Sequence, residues 1–136
     1  MTSRERVMAA IAHRQPDHVP LDLGGTPSSG ISAIAYNKLK KHLGITGGQT
    51  RIYHVVQQVA QPEMEILDRF GVDVLDIGRV FNEKDEDWYE TVLADGSIGH
   101  YPTWYHPEKQ SNGDYHVYDE EGTLIAKMPV GATFFD

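Results

Sequence analysis

The chain has 136 residues, the length of one domain, and a formal net charge of -8. This negative charge argues against binding of nucleic acid or of an anionic membrane surface by bulk electrostatics. The absence of cysteine excludes disulfides and thiolate metal ligands within the chain. No stretch approaches the ~20 apolar residues of a membrane span, so we expect a cytoplasmic protein.

The N-terminal residues predict a first helix that runs to about His13. Thr2 or Ser3 can cap it, because Glu5 follows Thr2 at the spacing of a capping box. Apolar residues then recur at helical spacing along one side, which is typical of a helix that covers another element.

A short strand is predicted at residues 19–23, where Leu21 and Leu23 share one face and Asp22 lies on the other. The glycine loop, residues 24–30 (GGTPSSG), leads from it into a helix predicted at residues 31–43. Such a loop places backbone N–H groups near a helix N-terminus and can hold an anion. The alternative is a simple turn with an N-cap from Ser28 or Ser29.

Residues 51–61 are predicted as a short helical segment that precedes a helix from Pro62 to the glycine at position 71. A second strand follows at residues 72–77, apolar on both faces, as strands are in a parallel sheet covered by helices. Asp76 lies at its carboxyl end, where open α/β sheets and barrels place their chemistry. The alternative is that Asp76 caps the loop through Gly78. Arg79 can pair with a substrate carboxylate or with Glu83.

The pattern changes at Trp88, after which residues 89–102 and 115–129 each predict an antiparallel hairpin with an acid–glycine pair at the turn. We therefore divide the chain into residues 1–82, with helices and βαβ units, and a hairpin insertion at residues 83–136. The aromatic residues of the hairpins are expected to pack the ribbon rather than form a ligand cage. Its histidines and acids match no metal-ligand motif, so no metal site is predicted.

Three sequence stretches carry a resemblance to a known family: RQPDHVPLDLGG, QQVAQPEMEILDRFGVDVLDIGR and DEEGT. Together they resemble the N-terminal part of the uroporphyrinogen decarboxylase superfamily, which includes cobalamin-dependent methyltransferases and demethylases. The resemblance implies the N-terminal part of a (β/α)8 barrel. It also implies a catalytic role for Asp76, which matches an aspartate that contacts pyrrole nitrogens in the decarboxylases.

Asp22 and Asp76 occupy matching positions, each at the end of a predicted strand followed by glycine. We therefore expect the two carboxylates to face one cavity together with Gly24, Gly25 and Arg79, and assign Asp22 and these three residues to substrate binding. Decarboxylases carry an arginine-rich loop after the first strand, whereas the glycine loop here has no cation. A polycarboxylate porphyrinogen needs guanidinium partners, so the methyltransferase-like branch is favoured.

The sequence thus predicts an N-terminal fragment of a corrinoid-dependent methyltransferase or demethylase, inactive alone, because a barrel needs roughly 250 residues. The alternatives are uroporphyrinogen decarboxylase itself, or a non-catalytic module that binds a partner through its aromatic ribbon. No cofactor is expected on this segment, while a full-length parent could use a corrinoid and zinc. The expected partners are a small-molecule substrate, a corrinoid protein, and a missing C-terminal half or a second copy of the chain.

Overall fold

The computed structural model describes residues 1–78 and 84–136. These residues form three α-helices, two short 3-10 turns and eight short strands. The helices are α1 (Ser3–Ile11), α2 (Ala33–His42) and α3 (Met64–Phe70). The strands are β1 (Ile31–Ser32), β2 (Ile52–His54), β3 (Val59–Ala60), β4 (Trp88–Val92), β5 (Ile98–Pro102), β6 (Glu108–Lys109), β7 (Tyr115–Tyr118) and β8 (Leu124–Met128).

The strands of the described residues form three small antiparallel sheets, in the orders β1-β3-β2, β4-β5 and β6-β7-β8. A hydrogen bond from His100 N to Thr50 O (2.8 Å) joins β5 to the chain just before β2. The prediction of a (β/α)8 barrel segment is therefore wrong, since a barrel requires parallel strands alternating with helices. The molecule is a small mixed domain.

The two predicted parallel strands, residues 19–23 and 72–77, do not form a strand ladder. We call them the first and second extended segments. Asp73 N donates to Leu21 O at 2.8 Å, which brings the segments side by side. Leu21 N, however, donates to the Asp73 carboxylate at 3.0 Å rather than to a backbone carbonyl. Val19 is 75% exposed and Ile77 is 94% exposed, so the apolar faces lack the covering layers on which the prediction depended.

The helical prediction for residues 51–61 is also wrong, because β2 and β3 pair there as a hairpin. Ile52 and Ala60 face each other in this pair and are fully buried. Gln58 ends the turn with a positive φ of 55°, a conformation that glycine or asparagine more often supplies. Ile52, Val59 and Ala60 are buried against the core, and this burial outweighed the helical spacing of the short segment.

The helices confirm most of the predicted starts and stops. Thr2 caps α1 and Glu5 completes the capping box. α3 ends at Gly71, which adopts the left-handed conformation with φ 61°. α2 differs from the prediction in its cap, because Ser32 rather than Ser28 or Ser29 accepts the hydrogen bond from Ala35 N.

Both predicted hairpins are confirmed, as β4 pairs with β5 and β7 with β8. Gly96 and Gly122 occupy their turns with a φ of 81° each. The predicted boundary between residues 82 and 83 lies outside the described residues.

The core lies between α2, the β2–β3 hairpin and the inner faces of the later sheets. Its buried members are Ala33, Tyr36, Ile52, Ala60, Ile66, Leu93, Tyr101, Tyr105, Val117, Met128 and Phe135. Most ribbon aromatics pack as expected, since Trp88, Tyr101 and Tyr105 are buried, whereas Trp104 is 58% exposed. The ribbons and the N-terminal part therefore share one core.

An ionic cluster ties α1 to the extended segments. The Arg6 guanidinium contacts both Asp73 and Asp17, with 2.7 Å from Nε to Asp17 Oδ1. The hydrogen bond from Leu21 N, assisted by the guanidinium, lowers the pKa of Asp73. α1 is thus held by charge as much as by its apolar side.

A lowered carboxyl pKa predicts an acid-sensitive contribution to stability. It is fully present above the unfolded-state pKa of about 4 and is lost as the pH falls through the folded-state value. Asp73→Asn should therefore reduce the difference in unfolding free energy between pH 7 and acid, measured by chemical denaturation. The exposed Asp68→Asn on α3 is the control. An unchanged pH dependence in Asp73→Asn would contradict this role.

Candidate functional site

A cavity of about 600 Å³ lies between the glycine loop, the start of α3 and the second extended segment. We call it the N-terminal cavity. Its walls combine apolar side chains with a smaller number of polar and charged ones, as small-molecule sites do. Its lining residues are Leu23, Gly24, Gly48, Gln49, Arg51, Gln61, Pro62, Glu63, Met64, Leu67, Val74, Leu75, Asp76, Ile77 and Asp85.

Asp76 lines this cavity from the end of the second extended segment. Its Oδ1 accepts a hydrogen bond from Gly78 N at 2.8 Å, so the carboxylate also caps the loop through Gly78. The two interpretations of Asp76 from the sequence are therefore compatible in the structure. The hydrogen bond from Gly78 N thus holds the Asp76 carboxylate in its place at the cavity.

Gly24 also lines the cavity, and two constraints require glycine there. Its φ of 87° is strained for other residues. A Cβ atom at this position would lie 2.9 Å from Cγ and Cδ of Pro62. The loop and the start of α3 can therefore meet only because position 24 has no side chain.

The other predicted site residues are placed differently. Asp22 accepts a hydrogen bond from Gly25 N at 2.8 Å, and neither residue lines the cavity. Gly25 lets the loop approach the second segment, since a Cβ there would lie 2.8 Å from Val74 Cγ1. Arg79 lies outside the described residues. Of the five predicted site residues, the structure thus places Gly24 and Asp76 in one cavity.

The glycine loop is closed by its own hydrogen bonds. Gly24 N donates to Ser29 O at 3.0 Å, and Thr26 N donates to Ser29 Oγ at 3.1 Å. Gly30 N donates to Pro27 O at 3.2 Å. Because these N–H groups are engaged within the loop, the turn interpretation describes it better than an anion cradle.

Glu63 is a charged lining residue that the sequence did not single out. Its carboxylate accepts hydrogen bonds from Lys40 Nζ at 2.8 Å, from the Tyr36 hydroxyl at 3.1 Å and from Gln49 N at 2.9 Å. Burial raises the pKa of Tyr36, so its hydroxyl stays a donor. The sequence showed only an acid near a helix start, because its partners come from residues 36–49.

Arg51 and Asp85 also line the cavity and contact each other. The Arg51 guanidinium contacts Asp85, donates to Gln49 Oε1 at 2.8 Å, and lies 5.5 Å from the centre of the Trp88 ring. Among the described lining residues, three carboxylates therefore accompany one guanidinium. Lys40 pairs with Glu63 and Arg51 pairs with Asp85, so these two acids are matched by cations, and the carboxylate oxygens of the lining serve as acceptors for a ligand that donates hydrogen bonds.

Within residues 1–78 and 84–136, no cluster of three or more histidine, aspartate or glutamate side chains could hold a metal ion. Asp114 instead braces its hairpin, accepting from Val130 N at 2.9 Å and pairing with Lys127 Nζ at 3.0 Å.

Comparison of the chain with protein-family models, with curated proteins and with solved structures finds no match. The resemblance therefore rests on the sequence stretches alone. Across the described part of the chain, the helices are too short and too polar for any of them to cross a membrane.

Proposed function

We propose that this chain supplies a small-molecule binding site to a methyltransferase or demethylase of the uroporphyrinogen decarboxylase-like kind. The N-terminal cavity would hold the substrate, and a corrinoid protein would be the partner in methyl transfer. A cytoplasmic location is part of the proposal. The observation that carries it is the joint presence of Asp76 and Gly24 at one cavity, contributed by segments about 50 residues apart.

The carboxylate oxygens of the lining support a substrate with an ammonium or N–H group, since a carboxylate can accept several hydrogen bonds. Asp76 lines the cavity beside apolar Val74 and Leu75, where a carboxylate can accept a hydrogen bond from a bound cation. Such a contact fixes the orientation of a methylated amine while the apolar walls receive its methyl groups. The role assigned to the chain's own residues is to bind and orient the substrate.

The scarcity of cations among the described lining residues argues against the alternative of uroporphyrinogen decarboxylase itself. A polycarboxylate needs several cationic partners. Among the described residues, Arg51 is the one cation at the cavity, and it already contacts Asp85. The partner-binding alternative has less support, since three of the seven ribbon aromatics are buried and two more, Tyr89 and Tyr115, pack against the core.

Binding of two contrasting probes tests the proposal. The methionine methyl groups of the full chain are labelled with carbon-13, because Met64 lines the cavity whereas Met1 and Met8 do not. Trimethylammonium should shift the Met64 signal saturably. Uroporphyrin, a polycarboxylate, should leave the Met64 signal unchanged. Saturable binding of uroporphyrin that depends on Arg51 would favour the decarboxylase, and no response to trimethylammonium would contradict the proposed site.

A further inference from the structure

A second cavity, of about 310 Å³, lies between α2 and the later sheets. We call it the helix–ribbon cavity. It shares no lining residue with the N-terminal cavity, so it is a separate space. Its volume is at the lower end of the range of about 300–1,000 Å³ that small-molecule sites occupy.

The walls of this cavity are mostly apolar and come from well-packed parts of the fold. Leu93, Tyr101 and Met128 line it and are each less than a tenth exposed. Tyr115 adds a second aromatic side chain. Walls of well-packed aromatic and aliphatic side chains suit a ligand with a flat or branched apolar group. Binding such a ligand does not require mobile side chains to become ordered, so less entropy is lost.

The charge in this cavity is opposite to that of the chain as a whole. Lys38 is the one charged side chain among its described lining residues, and no acidic residue lines it. Lys38 is exposed and also interacts with the nearby Asp95 carboxylate, but Asp95 does not line the cavity, so an anionic group is the better match for this lining. A carboxylate is the group that would pair with a single lysine while an apolar body fills the cavity.

Gln58 provides a polar contact inside the same cavity. It is 7% exposed, and its Oε1 accepts a hydrogen bond from the Tyr101 hydroxyl at 2.6 Å. Its Nε2 donates to Val55 O, which occupies one of the two amide N–H groups. The second amide N–H group can donate a hydrogen bond to an oxygen atom of a bound ligand.

We propose that the helix–ribbon cavity binds a small monocarboxylate with an aromatic or branched apolar body. Lys38 pairs with the carboxylate, and the Gln58 amide donates to one of its oxygens. This site is independent of the proposed function, since it shares no lining residue with the N-terminal cavity.

The methionine-labelled full chain also tests this site, because Met128 lines the helix–ribbon cavity and Met64 does not. The probe is 4-phenylbutyrate, and 4-phenylbutanol is its uncharged match. The acid should shift the Met128 methyl signal saturably, leave Met64 and Met8 unchanged, and bind about fivefold more tightly than the alcohol.

Lysine variants separate charge pairing from apolar binding. Lys38→Met should bring the affinity for the acid down to that for the alcohol, and Lys38→Arg should preserve the preference. Lys41→Met is the matched control, because Lys41 is exposed on α2 and does not line the cavity. Equal affinities for acid and alcohol in the unaltered chain would overturn the proposal. A Met128 signal that does not move with the acid would also overturn it. The same would follow if Lys41→Met lost as much affinity for the acid as Lys38→Met.

Discussion

Phe135→Ala is expected to lower the free energy of unfolding by about 3–5 kcal/mol. Phe135 is 1% exposed and packs edge-to-face on Tyr105, with ring centres 5.7 Å apart. Its backbone N donates to Val56 O at 2.8 Å, which joins the last residues to the β2–β3 turn. Truncation would leave a cavity in the core that the two parts of the chain share. Chemical denaturation measures the loss.

The neighbouring phenylalanine is a matched control. Phe134 is 56% exposed, so Phe134→Ala should change the free energy of unfolding by no more than about 0.5 kcal/mol. Similar small effects for both variants would mean that the end of the chain does not close the core, and would contradict the shared core.

The purified chain is expected to self-associate through its two extended segments. Val19, Leu21, Leu75 and Ile77 expose between 45% and 94% of their surface there. The segments also present backbone without a complete ladder, and an open edge of this kind pairs readily with another chain. Sedimentation velocity at increasing concentration should give masses above the monomer value of 15.3 kDa.

Charge on this surface should restore the monomer. Val19→Lys combined with Ile77→Lys should weaken self-association by more than about tenfold, because lysine opposes burial of the exposed face. Val92→Lys combined with Val130→Lys is the control, since these valines are 61% and 72% exposed elsewhere. A monomer at every concentration, or equal weakening by both pairs, would contradict this surface.

Local signals in the sequence predicted the helices and hairpins well. The capping box at Thr2, the helix stop at Gly71 and the turns at Gly96 and Gly122 each depend on neighbouring residues, and all are found in the structure. Such signals act over a few residues. They identify an element without specifying what it packs against.

The prediction of the sheet topology was wrong because strand pairing depends on residues that are distant in the sequence. Apolar residues on both faces at positions 72–77 are compatible with a buried parallel strand, but the Asp73 carboxylate takes the hydrogen bond of Leu21 N that a ladder would give to a carbonyl. The charged cluster around Glu63 was missed for the same reason. Lys40, Tyr36 and Gln49 are separated from it by 14 to 27 residues.

A comparison of two aspartate variants tests the proposed substrate site most directly. Asp76 lines the N-terminal cavity, whereas Asp22 bonds to Gly25 outside it. In titrations with trimethylammonium followed at Met64, Asp76→Asn should weaken binding roughly threefold to tenfold, as loss of an ion-paired hydrogen bond would. Asp22→Asn should leave the affinity unchanged. Equal affinities for the unaltered chain and Asp76→Asn, or a larger loss in Asp22→Asn, would contradict the assignment of Asp76 as the substrate-binding carboxylate.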